Sequence, residues 1–352
     1  MKKKVLFFLQ SGVGGAERVT VTIAKYLDTA KFDVKFCIVD RPLGDTTIDA
    51  FISAKYEKVR ISNVKGFKLL YALYVVLRRE RPDVVFSSIM HTNTKLLALS
   101  RLFPKVKFIV RNNNYIYTLT KMQKFVLKCT YRMADVVIAQ TDEMKDELIR
   151  VMNVSERKIK VLQNPVDVDT IDSMVVQSSP YEKNGKIKYV ASGRFVPAKG
   201  FDILIRAFAL VHAKRADSEL FIVGNTDGVC AEYFEFVKKL IRQFSLEDSV
   251  YCLGFQKNPY VYIKNANCFV LSSRNEGLPN VLIEALYLGT PVAATKCIPV
   301  ISRIVDEGKN GFLAETENEE SLCAAMLNAA ELGRVDNNYQ SAHCEEFQNL
   351  FV

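Results

Sequence analysis

The 352 residues, 49% hydrophobic and 25% charged, suffice for two α/β domains and carry no low-complexity segment or short-period repeat. No run approaches the roughly 20 apolar residues of a membrane-spanning helix. Eight cysteines without a CxxC pair, and only three histidines, speak against a disulfide framework, a zinc site or a His-rich metal centre, and fit a reducing cytoplasm. The net charge of +9 is one-sided: residues 1–165 hold 30 Lys and Arg against 15 Asp and Glu, whereas 166–352 hold 18 against 24. A basic first half predicts an anionic partner.

In chain order, Lys2, Lys3 and Lys4 precede Val5–Leu9, which reads as a buried parallel strand rather than a signal peptide, since it is short and lacks a cleavage site. Gly14-Gly15 opens a helix to about Leu27. Strands follow at Val34–Val39, Asp83–Ser88, Lys107–Val110, Val136–Ala139 and Ile159–Leu162, with a helix over Lys68–Arg79. Tyr117–Met133 reads as one amphipathic helix: Leu119, Met122, Val126, Cys129 and Met133 share a face, with Lys121, Lys124, Lys128 and Arg132 nearly opposite. That basic face, with Tyr117 and Tyr131 beside it, suits an anionic lipid surface.

The polar stretch 166–185, with Ser178-Ser179-Pro180, reads as a linker between a domain over 1–165 and a second over 186–335. The pattern then restarts. Strands are predicted at Ile187–Ala191, Leu220–Val223, Val250–Leu253, Cys268–Leu271 and Pro291–Ala294, and helices at Phe201–Ala213, Tyr233–Phe244 and Asn280–Leu288. Such alternation implies two parallel sheets covered by helices. Residues 336–352 read as a tail, with Glu346-Phe347 starting a last helix expected to cross back to the first domain.

Two clusters carry chemistry. In Gly193-Arg194…Lys199-Gly200, a glycine follows a strand and two cations precede a helix start, which suits a diphosphate. In Ser272–Asn280, Glu276 lies in a loop, Gly277, Leu278 and Asn280 offer backbone N–H groups at a helix start, and Glu284 lies within that mostly apolar helix. Asp167-Val168-Asp169 matches a metal-binding string but falls after Asn164-Pro165 in the expected linker, so metal binding is not expected there.

Together these clusters resemble the family-4 retaining glycosyltransferases of the two-domain GT-B type. The resemblance extends to Gly12-Val13-Gly14-Gly15-Ala16-Glu17-Arg18, Val161–Asp167 and Gly308–Phe312, in order and spacing. It implies two Rossmann-like domains facing across a cleft. It implies that Arg194 and Lys199 hold the donor diphosphate without a metal ion or other cofactor. Glu276 would contact the transferred sugar and Glu284 the ribose. Gly193, Gly277, Leu278 and Asn280 would line the donor, Phe255 would sit by the base, and Gly14 and Gly15 would approach the phosphate. His91 is the histidine expected against the sugar, and Arg111-Asn112 resembles a pair assigned to the acceptor or donor sugar. Asn225 departs from the acidic residue the family often has there.

The implied partners are a nucleotide-sugar donor, a UDP-sugar carrying galactose, N-acetylgalactosamine or N-acetylglucosamine, and a lipid-linked saccharide acceptor in bacterial O-antigen, capsule or lipopolysaccharide synthesis. The expected location is cytoplasmic, peripheral on the inner face of the plasma membrane, without nucleic acid. A GT-B-fold nucleotide-sugar epimerase and a non-catalytic sugar-nucleotide-binding subunit are the competing readings.

Overall fold

The structure, a computed structural model, describes residues 1–12, 14–40, 47–62, 64–226, 230–336 and 344–352. It contains two compact units, Met1–Val166 with Ser341–Val352, and Asp167–Gln340.

In the first unit the chain runs β1 (Lys3–Gln10), α1 (Gly15–Lys25), β2 (Phe32–Val39), β3 (Glu57–Ile61), α2 (Gly66–Glu80), β4 (Val84–Ser87), α3 (Met90–Leu99), β5 (Lys107–Arg111), α4 (Lys121–Thr130), β6 (Val136–Ala139), α5 (Asp142–Arg150) and β7 (Ile159–Val161). All seven strands are parallel, in the order β3-β2-β1-β4-β5-β6-β7. The apolar run Val5–Leu9 is fully buried because helices cover both faces of a parallel sheet. The order reverses beside β1, which pairs with β2 on one side and β4 on the other. Ligands of such folds bind outside the strand ends at this reversal.

The second unit runs α6 (Val168–Met174), β8 (Ile187–Ser192), α7 (Phe201–Lys214), β9 (Ser218–Val223), α8 (Ala231–Gln243), β10 (Val250–Gly254), α9 (Tyr260–Asn265), β11 (Cys268–Leu271), α10 (Asn280–Tyr287), β12 (Val292–Thr295), α11 (Ile301–Ile304), β13 (Gly311–Ala314) and α12 (Glu319–Ala330). Its six parallel strands are ordered β10-β9-β8-β11-β12-β13. The reversal here lies between β8 and β11. Tyr189, Phe208, Leu220, Ile222 and Leu322 belong to one core cluster.

A last helix, α13 (Cys344–Phe351), belongs to the first unit. Its Phe347, Leu350 and Phe351 enter the core formed by Phe7, Phe36 and Phe86.

Two expectations need correction. The stretch expected as a linker opens the second unit with α6, where Asp167 caps the helix by accepting from Thr170 N at 3.3 Å and Ile171 is buried. The single helix expected over Tyr117–Met133 is a shorter one. Thr120 caps α4 in a reciprocal bond pair with Gln123, and 3-10 turns flank it at Ile116–Thr118 and Tyr131–Met133. The face it buries also differs. Leu127 and Tyr131 point inward, Tyr131 OH accepting from Asn93 of α3 at 3.1 Å, while Met122, Val126 and Cys129 are exposed.

Candidate functional site

In the second unit the two clusters meet at the sheet reversal. The loop after β8 and the loop after β11 leave neighbouring strands and lie side by side. Gly193 N donates to Val223 O at 2.9 Å, and Gly224 packs so tightly on Gly193 that a Cβ there would fall 1.7 Å from its carbonyl oxygen. Gly200 adopts φ 62 and starts α7; a Cβ there would fall 2.1 Å from Ser272 O. Both positions therefore require glycine. Phe195, fully buried against Phe201 and Phe234, pins the first loop from below.

On this base Lys199 Nζ pairs with Glu276 Oε1 at 2.6 Å, and Ser273 Oγ donates to the same oxygen at 2.7 Å. Ser272 Oγ donates to Lys199 O at 2.9 Å. The Lys199 side chain lies against Gly193, about where a Cβ on that glycine would make contact at 3.3 Å. Arg194, next to Gly193, is exposed and makes no ion pair among the described residues. Thr295, buried at the end of β12, donates to Leu271 O and Ser273 O and so fixes the end of the second loop.

Arg274 ties the loops together. Its N–H donates to Ala198 O at 2.8 Å, and its guanidinium binds both Asp202 oxygens at 2.7 and 2.8 Å, together with Pro197 O and Glu317. Burial pushes the Asp202 carboxyl up, but the Arg274 and Tyr233 hydrogen bonds outweigh it and hold the group below its ordinary value. Sequence reasoning gave no role to Arg274, Asp202, Ser273 or Thr295. The signal was available for the first pair, since Arg274 lies inside one of the two strings and Asp202 two residues after the other, but a string does not say which side chains join.

The remaining donor candidates are grouped nearby along the chain. Asn280 begins α10, Leu278 is buried beneath the loop, and Gly277 precedes it. Glu284 is half-buried, with Tyr260 OH donating to it at 3.5 Å. Phe255 follows Gly254 at the end of β10 and is 62% exposed, a flat apolar surface at the strand ends.

The first-unit candidates lie at its own reversal. Gly14 caps α1 and Gly15 begins it. His91, in the first turn of α3, is 2.9 Å from the amide of Gln10 at the end of β1. Arg111 and Asn112 lie elsewhere than an open ligand surface: they are 1% and 3% exposed. Arg111 donates to Asn113 and Asn164, Asn113 to Ser88 O, and Gln140 to Asn112 O, so the pair braces the strand-end loops. Burial without a carboxylate partner pushes the Arg111 guanidinium down to about 9.

Among the described residues no group of three or more His, Cys, Asp or Glu is gathered as a metal would need. No described helix is long and apolar enough to cross a membrane.

Two family models match successive parts of the chain. Glycosyltransferase Family 4 matches residues 13–170, and Glycosyl transferases group 1 matches residues 177–343. The chain belongs to glycosyltransferase family 4.

This family-4 chain is 33% identical to an uncharacterized glycosyltransferase of Methanocaldococcus jannaschii over 68% of its own length and 64% of that protein, less than two thirds of the relative. It is 26% identical to the N-acetylgalactosamine-N,N'-diacetylbacillosaminyl-diphospho-undecaprenol 4-alpha-N-acetylgalactosaminyltransferase of Campylobacter jejuni, covering 97% of this chain and 93% of that one. Among solved structures it shares the fold of Anabaena HepE in complex with UDP-glucose, with TM-score 0.80, 19% identity and coverage of 99% and 98%. The two-unit α/β architecture of the family-4 chain is therefore the GT-B fold.

Proposed function

We propose that this glycosyltransferase moves a hexose or N-acetylhexosamine from a UDP-sugar to a lipid-linked saccharide during assembly of a bacterial surface glycan, with retention of configuration. The observation that carries the reading is the pairing of Lys199 with Glu276 at the sheet reversal, with exposed Arg194 beside the same glycine. This arrangement brings two cations, a carboxylate and a helix start to one place. The cations stabilise the diphosphate as it leaves and gains charge, a contribution typically of about 3–4 kcal/mol per well-placed donor. Glu276 accepts hydrogen bonds from sugar hydroxyls, and Glu284 from the ribose. Gly277 and Asn280 at the start of α10 add N–H groups that favour an anion.

Cationic neutralisation of the diphosphate needs no divalent ion, so the reaction proceeds without a metal cofactor. The Campylobacter relative, whose name specifies a diphospho-undecaprenol acceptor, supports a lipid-linked acceptor here, and HepE, solved with UDP-glucose, supports the donor class. A membrane-borne acceptor places the enzyme peripherally on the inner face of the plasma membrane, with the basic first unit toward anionic lipid and no role for nucleic acid. His91 serves a sugar and the Gly14-Gly15 turn a phosphate, both at the sheet reversal of the first unit.

Thermal shift tests this. UDP raises the melting temperature in EDTA, and Arg194→Ala and Lys199→Ala each abolish the rise. A rise that requires a divalent ion, or one that survives both substitutions, overturns the reading. Turnover of a UDP-sugar to an isomer without acceptor would instead identify an epimerase.

A further inference from the structure

The exposed side chains of α2 and α4 form a second surface on the first unit. On α2, Phe67, Tyr71 and Val75 recur every fourth residue and point outward, at 88%, 70% and 40% exposure. The opposite side of α2, with Leu69, Leu73, Val76 and Leu77, is buried in the unit. On α4, Met122 and Phe125 are 72% and 66% exposed. Single exposed apolar side chains are ordinary on a protein surface, but rows of large ones along two helices of one unit are of the kind that marks an interaction site.

The topology puts the two ridges on one face. β3 to β4, β4 to β5 and β5 to β6 all step in one direction along the sheet, so right-handed crossovers lay α2, α3 and α4 on the same side. α3 contacts both α2 and α4 and lies between them.

The charge around the ridges selects the partner. Lys65, Lys68, Arg78 and Arg79 accompany α2, and Lys121, Lys124, Lys128 and Arg132 accompany α4. Helix α4 contains no acidic residue, and the single one of α2, Glu80, is held by Lys35 and Arg79. Exposed apolar side chains on helices that carry several cations and a single, already paired acid match an anionic bilayer, whose headgroups meet the cations while its acyl boundary takes the apolar groups. A second copy of the chain would bring like charge against like.

We infer that the α2 and α4 ridges insert into the headgroup boundary of an anionic membrane, with Phe67, Tyr71, Met122 and Phe125 as the inserted groups. The proposal rests on the membrane-borne acceptor of the reading above for its purpose, but its test reads lipid binding alone. A purely electrostatic attachment by the lysines would leave these four side chains in water; insertion buries them.

The test is flotation of the full chain with vesicles of phosphatidylcholine and phosphatidylglycerol at physiological salt. The chain floats, and Phe67→Ser combined with Phe125→Ser lowers the partition coefficient at least about tenfold, as expected when two large apolar groups no longer enter the bilayer. Val176→Ser, on an exposed apolar residue of the second unit, leaves it unchanged. The melting temperature of the double variant and its response to UDP match the parent, which separates this result from failure of the donor-site reading. Flotation unaffected by the double substitution overturns insertion. So does a dimer in solution that the same substitutions dissociate, because that outcome assigns the ridges to a second copy.

Discussion

The ammonium of Lys199 and the carboxylate of Glu276 are 2.6 Å apart, and Ser273 holds the same carboxylate oxygen. If Lys199 binds the donor diphosphate, that anion competes with Glu276 for one cation. Removing the competitor's charge should then separate binding from turnover. Glu276→Gln is expected to bind UDP about three- to tenfold more tightly, the value of a partly exposed ion pair of about 0.7–1.4 kcal/mol. If Glu276 also binds sugar hydroxyls as proposed, the same variant should transfer sugar at least roughly a hundredfold more slowly. Calorimetric titration with UDP and initial rates check the two halves. Weaker UDP binding by the variant would show that Glu276 supports the diphosphate site rather than competing for it.

The Arg274–Asp202 pair predicts a dependence on acid. Asp202 has its carboxyl held below the ordinary value in the folded chain, so it binds fewer protons folded than unfolded. The stabilisation is thus present above the unfolded value near 3.8 and is lost as pH falls through the folded one. Asp202→Asn should lower the melting temperature at pH 7, with a cost of about 1–3 kcal/mol for lost charge-assisted bonds. The gap between parent and variant should close as the pH falls below about 4. Arg274→Lys should not restore the parent, since a single ammonium cannot reproduce the two-pronged contact. Melting curves of the three proteins between pH 3 and 7 decide this; a gap that does not change with pH removes the pair from the account.

Much of this site is legible in the sequence because its residues lie in two short strings at strand ends, and glycine there has a backbone meaning. The alternation of strands and helices was equally plain where strands are wholly apolar, as at Val5–Leu9 and Cys268–Leu271. It fails where burial is one-sided. β3, Glu57–Ile61, is an edge strand whose charged residues hide its pattern, and α5, Asp142–Arg150, buries only Met144 and Leu148. α4 misled for a different reason: its apolar residues repeat at helical spacing, but the fold buries Leu127 and Tyr131 and leaves Met122 and Phe125 outside. Periodicity gives a face, and only tertiary packing says whether that face is covered. The burial of Arg111 at the end of β5 was likewise not legible, since sequence alone does not say whether an arginine at a strand end faces a ligand or braces the loops around it.

Backbone constraints give a graded pair of variants. Gly200 and Gly308 both have positive φ, 62 and 79. A Cβ at Gly200 would clash with Ser272 O at 2.1 Å, whereas one at Gly308 meets nothing within 4 Å. Gly308→Ala should therefore cost only the left-handed strain, roughly 1–2 kcal/mol. Gly200→Ala adds displacement of one loop of the proposed donor site from the other and should cost more than about 3 kcal/mol, with loss of UDP binding. Urea unfolding of both variants provides the comparison, and equal midpoints would contradict the close approach of the two loops.

The last helix makes a prediction confined to the first unit. Phe347 and Phe351 are fully buried, and the Phe351 ring lies 5.5 Å from Phe7, 5.8 Å from Phe86 and 6.4 Å from Phe32. Three strands thus present aromatic residues to a helix nearly 350 residues away in sequence from β1, and Gln348 donates to Tyr26 O at 2.7 Å just beyond α1. Phe351→Ala leaves a cavity among those rings and should cost about 3–5 kcal/mol. Because the affected core belongs to one unit, hydrogen exchange should quicken in β1, β2 and β4 while β8 and β11 keep their protection and their response to UDP. Equal loss of protection in both sheets would show that the two units unfold together, and unchanged exchange in β1 would show that α13 adds nothing to the core it enters.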